Sequence, residues 1–366
     1  MYLESLKLLN FKNYDAQALE LSPKLNCFVG KNGMGKTNLL DSIHYLCMCK
    51  SGVMRSSDRI LVRHGEAFFR LDGIFKREEK RENIVAKIIG GKSKIIERNK
   101  VPYKRISEHI GLLPVVIIAP NDTQLAMEGS EERRRFWDST ISQSDAKYLK
   151  NLLIYNKVLA QRNAYLKSTR YLDESLLGIY DQQLLAPAEY ISMKRKAFAA
   201  IFTPIFETAY RKISNDQEKV SLVYKSKLLE HKLETLLQET REKDKILQRT
   251  TQGIHKDDWD FRINTFPVKK FASQGQLKSY VLALKLAQYD LLYQKKIVPP
   301  ILLLDDIFDK LDNDRVKQLL TLLVQEDFGQ VFITDTDENR IEKIIQLFDV
   351  DYKKFIVNRG QIIDNA

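Results

Sequence analysis

The chain has 366 residues, 44% of them hydrophobic, which suits two structural units with a sizeable core. Its 59 Lys and Arg residues outnumber 48 Asp and Glu residues, and the resulting net charge of +11 commonly accompanies nucleic-acid binding, although an anionic membrane surface also fits. No apolar run approaches the roughly 18 residues of a membrane span, and the N-terminus lacks the pattern of a secretion signal, so we expect a cytoplasmic protein without a membrane partner.

The first third of the chain is predicted to be rich in strands. Three strands precede a glycine-rich segment and a helix, an antiparallel meander follows, and LPVVIIA at 113–119 has the continuous apolar character of a buried strand. The predicted elements are strands at 2–11, 18–21, 25–29, 68–75, 83–89, 94–98 and 113–119, with a helix at 37–47.

The glycine-rich segment reads GKNGMGKT and matches the phosphate-binding loop G-x-x-x-x-G-K-[ST]. The loop consists of Gly30, Lys31, Asn32, Gly33, Met34, Gly35, Lys36 and Thr37. Its glycines let the backbone curl so that amides at a helix N-terminus face an anion. We expect Lys36 to reach the β- and γ-phosphates of ATP and Thr37 to offer its hydroxyl to Mg²⁺.

The middle of the chain, from about 131 to 247, is predicted to be mostly helical and charged. Pro187 and Pro204 are expected to interrupt the helices, and 220–224 has the character of a lone strand. No heptad pattern is long enough for an extended coiled-coil arm. The predicted domains are the N-terminal part of an ATPase head at 1–130, an inserted helical lobe at 131–255 and the C-terminal part of the head at 256–366.

The last segment alternates helices and strands, which predicts a parallel sheet with helical cover. Its predicted elements are a helix at 276–294, strands at 301–304 and 330–334, helices at 313–324 and 338–347, and a strand pair around 354–363. The sequence ILLLDD at 301–306 places two carboxylates at the carboxyl end of a buried strand, where ligands bind in open α/β sheets. Asp305 fits the Walker B role of holding Mg²⁺, and Asp306 fits a catalytic carboxylate that orients water. An acidic turn after a core strand is the alternative.

A short polar segment precedes the long helix that leads to the Walker B strand. It consists of Ser273, Gln274, Gly275 and Gln276. An ordinary helix N-cap explains such residues, but their position resembles the signature motif of ABC-type ATPases, usually LSGGQ. In that family the signature of one subunit caps the γ-phosphate bound by the other, so the resemblance implies that this segment acts on a partner's ATP. DKLD at 309–312 resembles the D-loop, with Asp312 at its acidic end.

Five stretches of sequence narrow the resemblance from ABC-type ATPases in general to one family. They are LNFKNY at 9–14, GSEERRRFWD at 129–138, GIHKDD at 253–258, FASQGQ at 271–276 and LLLDD at 302–306. Together and in this order, they resemble the RecF family of bacterial DNA repair and replication proteins, in the SMC-like group of ABC-type ATPases. The resemblance implies an α/β fold: an ABC-type head, with a mixed sheet, helices and an antiparallel β subdomain, split by an inserted helical lobe.

The resemblance also implies a function. RecF-like proteins bind ATP and Mg²⁺, form a homodimer on ATP, bind DNA near gaps and single-strand/double-strand junctions, and hydrolyse ATP slowly. They work with RecR and RecO to place RecA on DNA in gap repair and the SOS response. Two alternatives remain: an OLD-type ATP-driven nuclease, which needs a further carboxylate-rich metal domain, and an SMC-type scaffold protein with long arms.

Two departures from ABC-type ATPases concern the catalytic centre. Asp306 stands where most members have Glu, and its shorter side chain predicts slow turnover, because a displacement near 1 Å can lower a rate by about a hundredfold. Many ABC-type ATPases have a His, called the switch residue, after the strand that follows Walker B. This chain has Asp335 there, so Thr334 or Thr336 is the candidate sensor of the γ-phosphate. The Q-loop is left open among Asn121, Asp122 and Gln124.

Two further groups of residues have more than one interpretation. Arg133, Arg134 and Arg135 are candidate DNA contacts, although a solvated helix face balanced by neighbouring Glu residues explains them at least as well. His255, with the two carboxylates that follow it, has the composition of a metal site. The family resemblance instead favours a structural junction at that position.

Overall fold

The computed structural model describes residues 1–53, 57–90, 93–168, 173–214, 218–296, 298–308, 313–325, 328–347 and 351–365. The chain forms two compact units, the first made of Met1–Asp122 and Lys278–Ala366 and the second of Thr123–Leu277. The phosphate-binding loop and the Walker B strand therefore belong to the first unit, whereas the signature segment belongs to the second. Asp312 lies outside the described residues.

The first unit contains two six-stranded sheets. Its elements before the second unit are β1 (Tyr2–Phe11), β2 (Tyr14–Glu20), β3 (Leu25–Val29), α1 (Lys36–Met48), β4 (Phe68–Arg77), β5 (Lys80–Ile89), β6 (Ser93–Arg98), β7 (Val101–Pro102) and β8 (Val115–Ile118). One sheet is antiparallel, with the order β2-β1-β4-β5-β6-β7. It contains the predicted meander, which is thereby confirmed.

The second unit follows β8. Its elements are α2 (Gln124–Met127), α3 (Ser130–Ser144), α4 (Ala146–Ser168), α5 (Glu174–Ser214), β9 (Val220–Lys225), α6 (Leu233–Glu239), α7 (Arg241–Leu247), β10 (Asp258–Ile263), β11 (Phe266–Pro267), α8 (Val268–Phe271) and α9 (Gln274–Lys296). The unit boundary at Leu277 falls inside α9, which continues in the first unit.

Two predictions for the second unit are wrong. Pro187 and Pro204 do not interrupt a helix but lie inside the 41-residue α5. Each proline removes one backbone hydrogen bond, and the long buried face of α5, which includes Pro187, holds the helix together. The segment 220–224 is not a lone strand, because β9 pairs with β10 in a three-stranded antiparallel sheet of order β11-β10-β9.

The chain then completes the first unit. The remaining elements are β12 (Ile301–Asp305), α10 (Asn313–Gln325), β13 (Val331–Asp335), α11 (Glu338–Leu347), β14 (Tyr352–Asn358) and β15 (Gln361–Asn365). The second six-stranded sheet has the order β15-β14-β3-β13-β12-β8, in which only β15 is antiparallel to its neighbour. Strands β3, β12 and β13 are buried along their whole length, as expected for central strands of a parallel sheet covered on both faces.

Helix α1 contacts strands of both six-stranded sheets. Its residues Leu39, Leu40 and Ile43 are fully buried in one hydrophobic core with Leu3 of β1 and Leu303 of β12. Because α1 begins at the end of the phosphate-binding loop, this core fixes the helix N-terminus at the carboxyl edge of the parallel strands. Among the described residues, no helix is long and apolar enough to cross a membrane.

Candidate nucleotide site

The phosphate-binding loop connects β3 to α1, as the sequence predicts. Its backbone turns through Gly33 and Gly35, whose φ angles are 79° and 117°, a region that residues with a Cβ seldom adopt. Gly35 is the N-cap of α1. The loop therefore presents backbone amides at a helix N-terminus, an arrangement that binds phosphate.

Lys36 extends back over the loop. Its ammonium group donates hydrogen bonds to the carbonyl oxygens of Gly30, at 2.6 Å, and Lys31, at 3.3 Å. The residue is 5% exposed, so little water shares its charge. A triphosphate in the loop offers stronger acceptors than two carbonyl groups, and Lys36 is placed to exchange them.

The Walker B strand meets α1 through a direct side-chain contact. The Thr37 hydroxyl donates to Asp305 Oδ1 at 2.9 Å, and the Thr334 hydroxyl on the adjacent β13 donates to the same oxygen at 2.9 Å. Thr334 also accepts the backbone N–H of Asp306 at 2.9 Å. Two parallel strands and one helix thus bring together two hydroxyls, a carboxylate and the candidate catalytic residue.

The electrostatics of Asp305 suit a cation ligand. Burial raises the pKa of its carboxyl, whereas the hydrogen bonds from Thr37 and Thr334 lower it and the charge of Asp306 raises it. A divalent cation beside this carboxylate would offset the cost of burying it. Hydroxyl and carboxylate oxygens are ligands that Mg²⁺ accepts, so Thr37 and Asp305 fit the role predicted for them.

Thr334 is a buried connector between the carboxylate of Asp305 and the backbone of Asp306. It is fully buried and its hydroxyl is both donor and acceptor, while Asp306 has a left-handed backbone with φ 48°. Such a backbone is held only when its surroundings determine it. The sequence offered Thr334 as a phosphate sensor, but its contacts within the described residues are those of a group that positions Asp306.

We therefore expect Thr334→Val to impair turnover more than ATP binding. Valine keeps the shape but leaves the Asp306 amide without its acceptor, and a misplaced carboxylate should lower the ATP turnover number by roughly tenfold. Steady-state ATPase assays and equilibrium ATP binding would separate the two effects. Thr203→Val, which removes a hydroxyl bonded to the Ala199 carbonyl in α5, is the control, and equal turnover in both variants would contradict the assignment.

Two of the remaining candidates around this edge, Asp335 and Asp122, have structural partners. Asp335 accepts the backbone N–H of Asp337 at 2.8 Å and lies 3.3 Å from the Arg340 guanidinium, so it holds the turn that leads into α11. Asp122 contacts the ammonium of the buried Lys285 at 2.9 Å and accepts the N–H of Ala119 at 2.7 Å. Neither side chain has the environment of a free catalytic group.

The signature segment forms a capping box at the start of α9. The Ser273 hydroxyl accepts the Gln276 N–H at 3.2 Å, and Gln276 Oε1 accepts the Ser273 N–H at 2.7 Å, which satisfies two helix-end donors reciprocally. Ser273 and Gln274 are exposed. The segment is therefore a helix N-cap, as the alternative interpretation predicted. Because Ser273 and Gln274 are exposed, this helix N-terminus is also accessible to a ligand from outside the chain.

The three candidate DNA-contact arginines differ in their exposure and in their ion-pair partners. Arg133 makes a two-pronged ion pair with Asp258, and Arg134 donates to Ser130 and to the Asp257 carbonyl. Arg133 is 11% exposed, whereas Arg135, paired with two glutamates of its own helix, is 53% exposed. The first two arginines tie α3 to the start of β10, and the third lies on the surface.

The stretch GIHKDD is a structural junction within the second unit. His255 contacts the Tyr155 hydroxyl at 2.8 Å and the Thr250 carbonyl at 3.0 Å, so both ring nitrogens are engaged. Burial lowers its pKa to about 4. Asp257 contacts the buried Arg195 at 2.7 Å. These partners favour the structural interpretation over the metal site.

Sequence reasoning missed a group of residues behind the phosphate-binding loop. The Asn13 amide donates to the Met34 carbonyl at 3.1 Å, the Tyr14 hydroxyl donates to the Gly35 carbonyl at 3.1 Å, and the Gly360 N–H donates to Met34 at 2.8 Å. Asn13 and Tyr14 end the stretch LNFKNY, which the sequence singled out without a role. Gly360 carried no comparable signal.

Comparison with known proteins identifies the family. The RecF/RecN/SMC N terminal domain family matches residues 2–358. A curated relative from Flavobacterium johnsoniae, the DNA replication and repair protein RecF, is 46% identical over 97% of this chain and 99% of its own length. Another from Phocaeicola vulgatus, with the same name, is 43% identical over 100% of this chain and 98% of its own. The chain belongs to the RecF family.

Solved structures agree with this assignment. A structure of the recombination mediator protein RecF with ATP, of the RecFOR pathway, has a TM-score of 0.89 and 30% identity over 100% of this chain and 97% of that one. An SMC head bound to the winged-helix domain of ScpA has a TM-score of 0.58 and 16% identity over 100% and 97% of the two chains, and shows the fold alone. This RecF family member thus has the α/β fold of an ABC-type ATPase head with a helical lobe, as predicted.

Proposed function

We propose that this chain is an ATP-dependent DNA-binding protein of recombinational repair and replication. It binds ATP at residues 30–37, dimerises on it, and holds DNA at single-strand gaps and junctions. The observation that carries the proposal is the 2.9 Å hydrogen bond from Thr37 to Asp305, because it joins the two halves of a nucleotide site across 268 positions of sequence. The solved RecF structure with ATP supports the same nucleotide.

Each residue of the site has a distinct role in this proposal. Lys36 leaves the loop carbonyls and neutralises the triphosphate, and the loop amides bind its oxygens. Thr37 and Asp305 hold Mg²⁺, which would neutralise charge on the phosphates. Asp306 orients the attacking water, and its short side chain together with its reliance on Thr334 accounts for slow hydrolysis.

The homodimer completes the site. In the proposal, Ser273 and the free amides at the start of α9 approach the γ-phosphate bound by the second copy, where a helix N-terminus attracts an anion. The nucleotide then forms part of the interface. Dimer affinity is consequently linked to ATP, because a ligand that binds only the dimer shifts the equilibrium toward it.

The charge of the chain and its family support DNA binding in this proposal. The net charge of +11 favours phosphate contacts, and Arg135 is the most accessible of the three candidate arginines. The similarity to a mediator of the RecFOR pathway supports joint action with RecR and RecO in loading RecA, in the cytoplasm where the chromosome lies. DNA release would accompany hydrolysis and separation of the dimer.

The test compares gapped, single-stranded and duplex DNA with and without ATP. We expect gapped DNA to bind best with ATP, and log affinity to fall linearly with log salt, by about 0.9 per phosphate contact. Arg135→Ala should reduce that slope by about one, whereas Lys100→Ala, at another exposed cation, should leave it unchanged. Fluorescence anisotropy across a salt series measures this. A DNA affinity that changes neither with ATP nor with salt concentration would refute the proposal.

A further inference from the structure

Two turns from opposite ends of the chain support the back of the phosphate-binding loop. The turn between β1 and β2 contributes Asn13 and presents Tyr14, the first residue of β2, and the turn between β14 and β15 contributes Gly360. All three donate to carbonyl oxygens of Met34 or Gly35, at 2.8–3.1 Å. Neither turn belongs to the nucleotide-binding motifs.

The chain segments around the phosphate-binding loop pack so closely that two glycine positions have no room for a Cβ. A Cβ on Gly360 would lie 2.3 Å from the Asn13 carbonyl oxygen, and Gly360 has φ 76°. A Cβ on Gly30 would lie 2.3 Å from the Val357 carbonyl oxygen of β14. The Asn13 side chain is fixed in turn, because its Oδ1 accepts the Asn38 amide of α1 at 2.7 Å.

The direction of these hydrogen bonds has a chemical consequence. In a trans peptide the carbonyl and the following N–H point in opposite directions, and every peptide described here is trans. Donors that hold the Met34 and Gly35 carbonyls from behind therefore aim the N–H groups of Gly35 and Lys36 away from the turns. Oriented amides of this kind bind an anion without reorganisation when it arrives.

We propose that the β1–β2 and β14–β15 turns orient the phosphate-binding amides, and that Asn13 is a positioning residue for the triphosphate. This inference rests on the proposed ATP site. It assigns to the turns an effect on phosphates alone, not on the nucleobase. Loss of one donor to a carbonyl then weakens the binding of any polyphosphate that occupies the loop.

The experiment measures ATP and tripolyphosphate binding to the full chain carrying Asn13→Ala. Loss of one hydrogen bond of about 1.4 kcal/mol corresponds to a tenfold increase in Kd, and we expect a similar increase for both ligands. Asn163→Ala is the matched control, since Asn163 is also half-buried and its side chain holds the backbone N–H of Thr250. It should lower the melting temperature and leave both Kd values unchanged.

Each result decides a separate question. Weakened ATP binding with unchanged tripolyphosphate binding, or unchanged binding of both, would overturn the inference while the ATP site stands. A wild-type chain that binds neither ligand would overturn the proposed function itself. Tyr14→Phe, which removes only the hydroxyl that bonds to Gly35, provides a second variant if Asn13→Ala does not fold, and a several-fold rise in both Kd values is expected there too.

Discussion

Replacing Lys36 by alanine is expected to abolish ATP binding and ATP-dependent dimerisation together. Lys36 is 5% exposed, and its ammonium group donates hydrogen bonds to two loop carbonyls, so it is positioned for a charged ligand. A charge-assisted hydrogen bond to phosphate contributes about 1.5–3 kcal/mol, and the triphosphate offers several acceptors. We expect the Kd for ATP to rise at least a hundredfold.

Calorimetric titration would give the affinity, and sedimentation velocity with ATP and Mg²⁺ would give the oligomeric state. Lys100→Ala removes a lysine from an exposed hairpin turn of the same unit and should behave as the wild type. A Lys36→Ala chain that dimerises on ATP like the wild type would show that the nucleotide acts somewhere other than the predicted loop.

Replacing Ser273 by arginine is expected to block dimerisation while leaving ATP binding intact. The substitution places a long cation at the N-terminus of α9, where the helix dipole disfavours positive charge, and it removes the hydroxyl of the capping box. If this helix end approaches the partner's ATP, the arginine side chain also fills the space that the γ-phosphate needs. Dimer affinity should fall by at least a hundredfold.

The discriminating measurement is sedimentation equilibrium at saturating ATP, paired with ATP binding to the monomer. Ser175→Arg changes an exposed serine in the same unit and is the control for added charge. A Ser273→Arg chain that dimerises as well as the control would exclude the arrangement in which each copy completes the other's site. A chain that also loses ATP affinity as a monomer would show that Ser273 acts in its own subunit.

The sequence predicted the central strands and the site motifs because both are local patterns. A phosphate-binding loop requires glycines and a lysine at fixed spacing, and buried parallel strands require continuous apolar runs such as ILLL before Asp305. Ligand-binding residues commonly meet at the carboxyl edge of such strands, so the sequence predicts that Thr37 and Asp305 lie together. The family resemblance rested on motifs of the same kind.

Other features depended on partners distant in sequence. The 220–224 strand finds its partner in β10, and α5 continues through two prolines because its buried face outweighs the lost hydrogen bonds. From the sequence, Arg133 is expected to be a solvent-exposed charge, but in the fold its guanidinium forms an ion pair with Asp258. Propensity describes a residue's own backbone, whereas these outcomes depend on packing energy shared between segments.

The sequence by itself predicted a nucleotide site and the residues that line it, and it determined which family the chain resembles, because each phosphate-binding group lies within one short segment. Only the tertiary structure decided how that site is held. The hydroxyl of Thr334 bridges two carboxylate residues, and the turns at Asn13 and Gly360 fix the loop from behind. The widest of these contacts joins Gly360 to Met34, 326 positions apart, and hydrogen bonds between residues so distant have no signature in a single sequence.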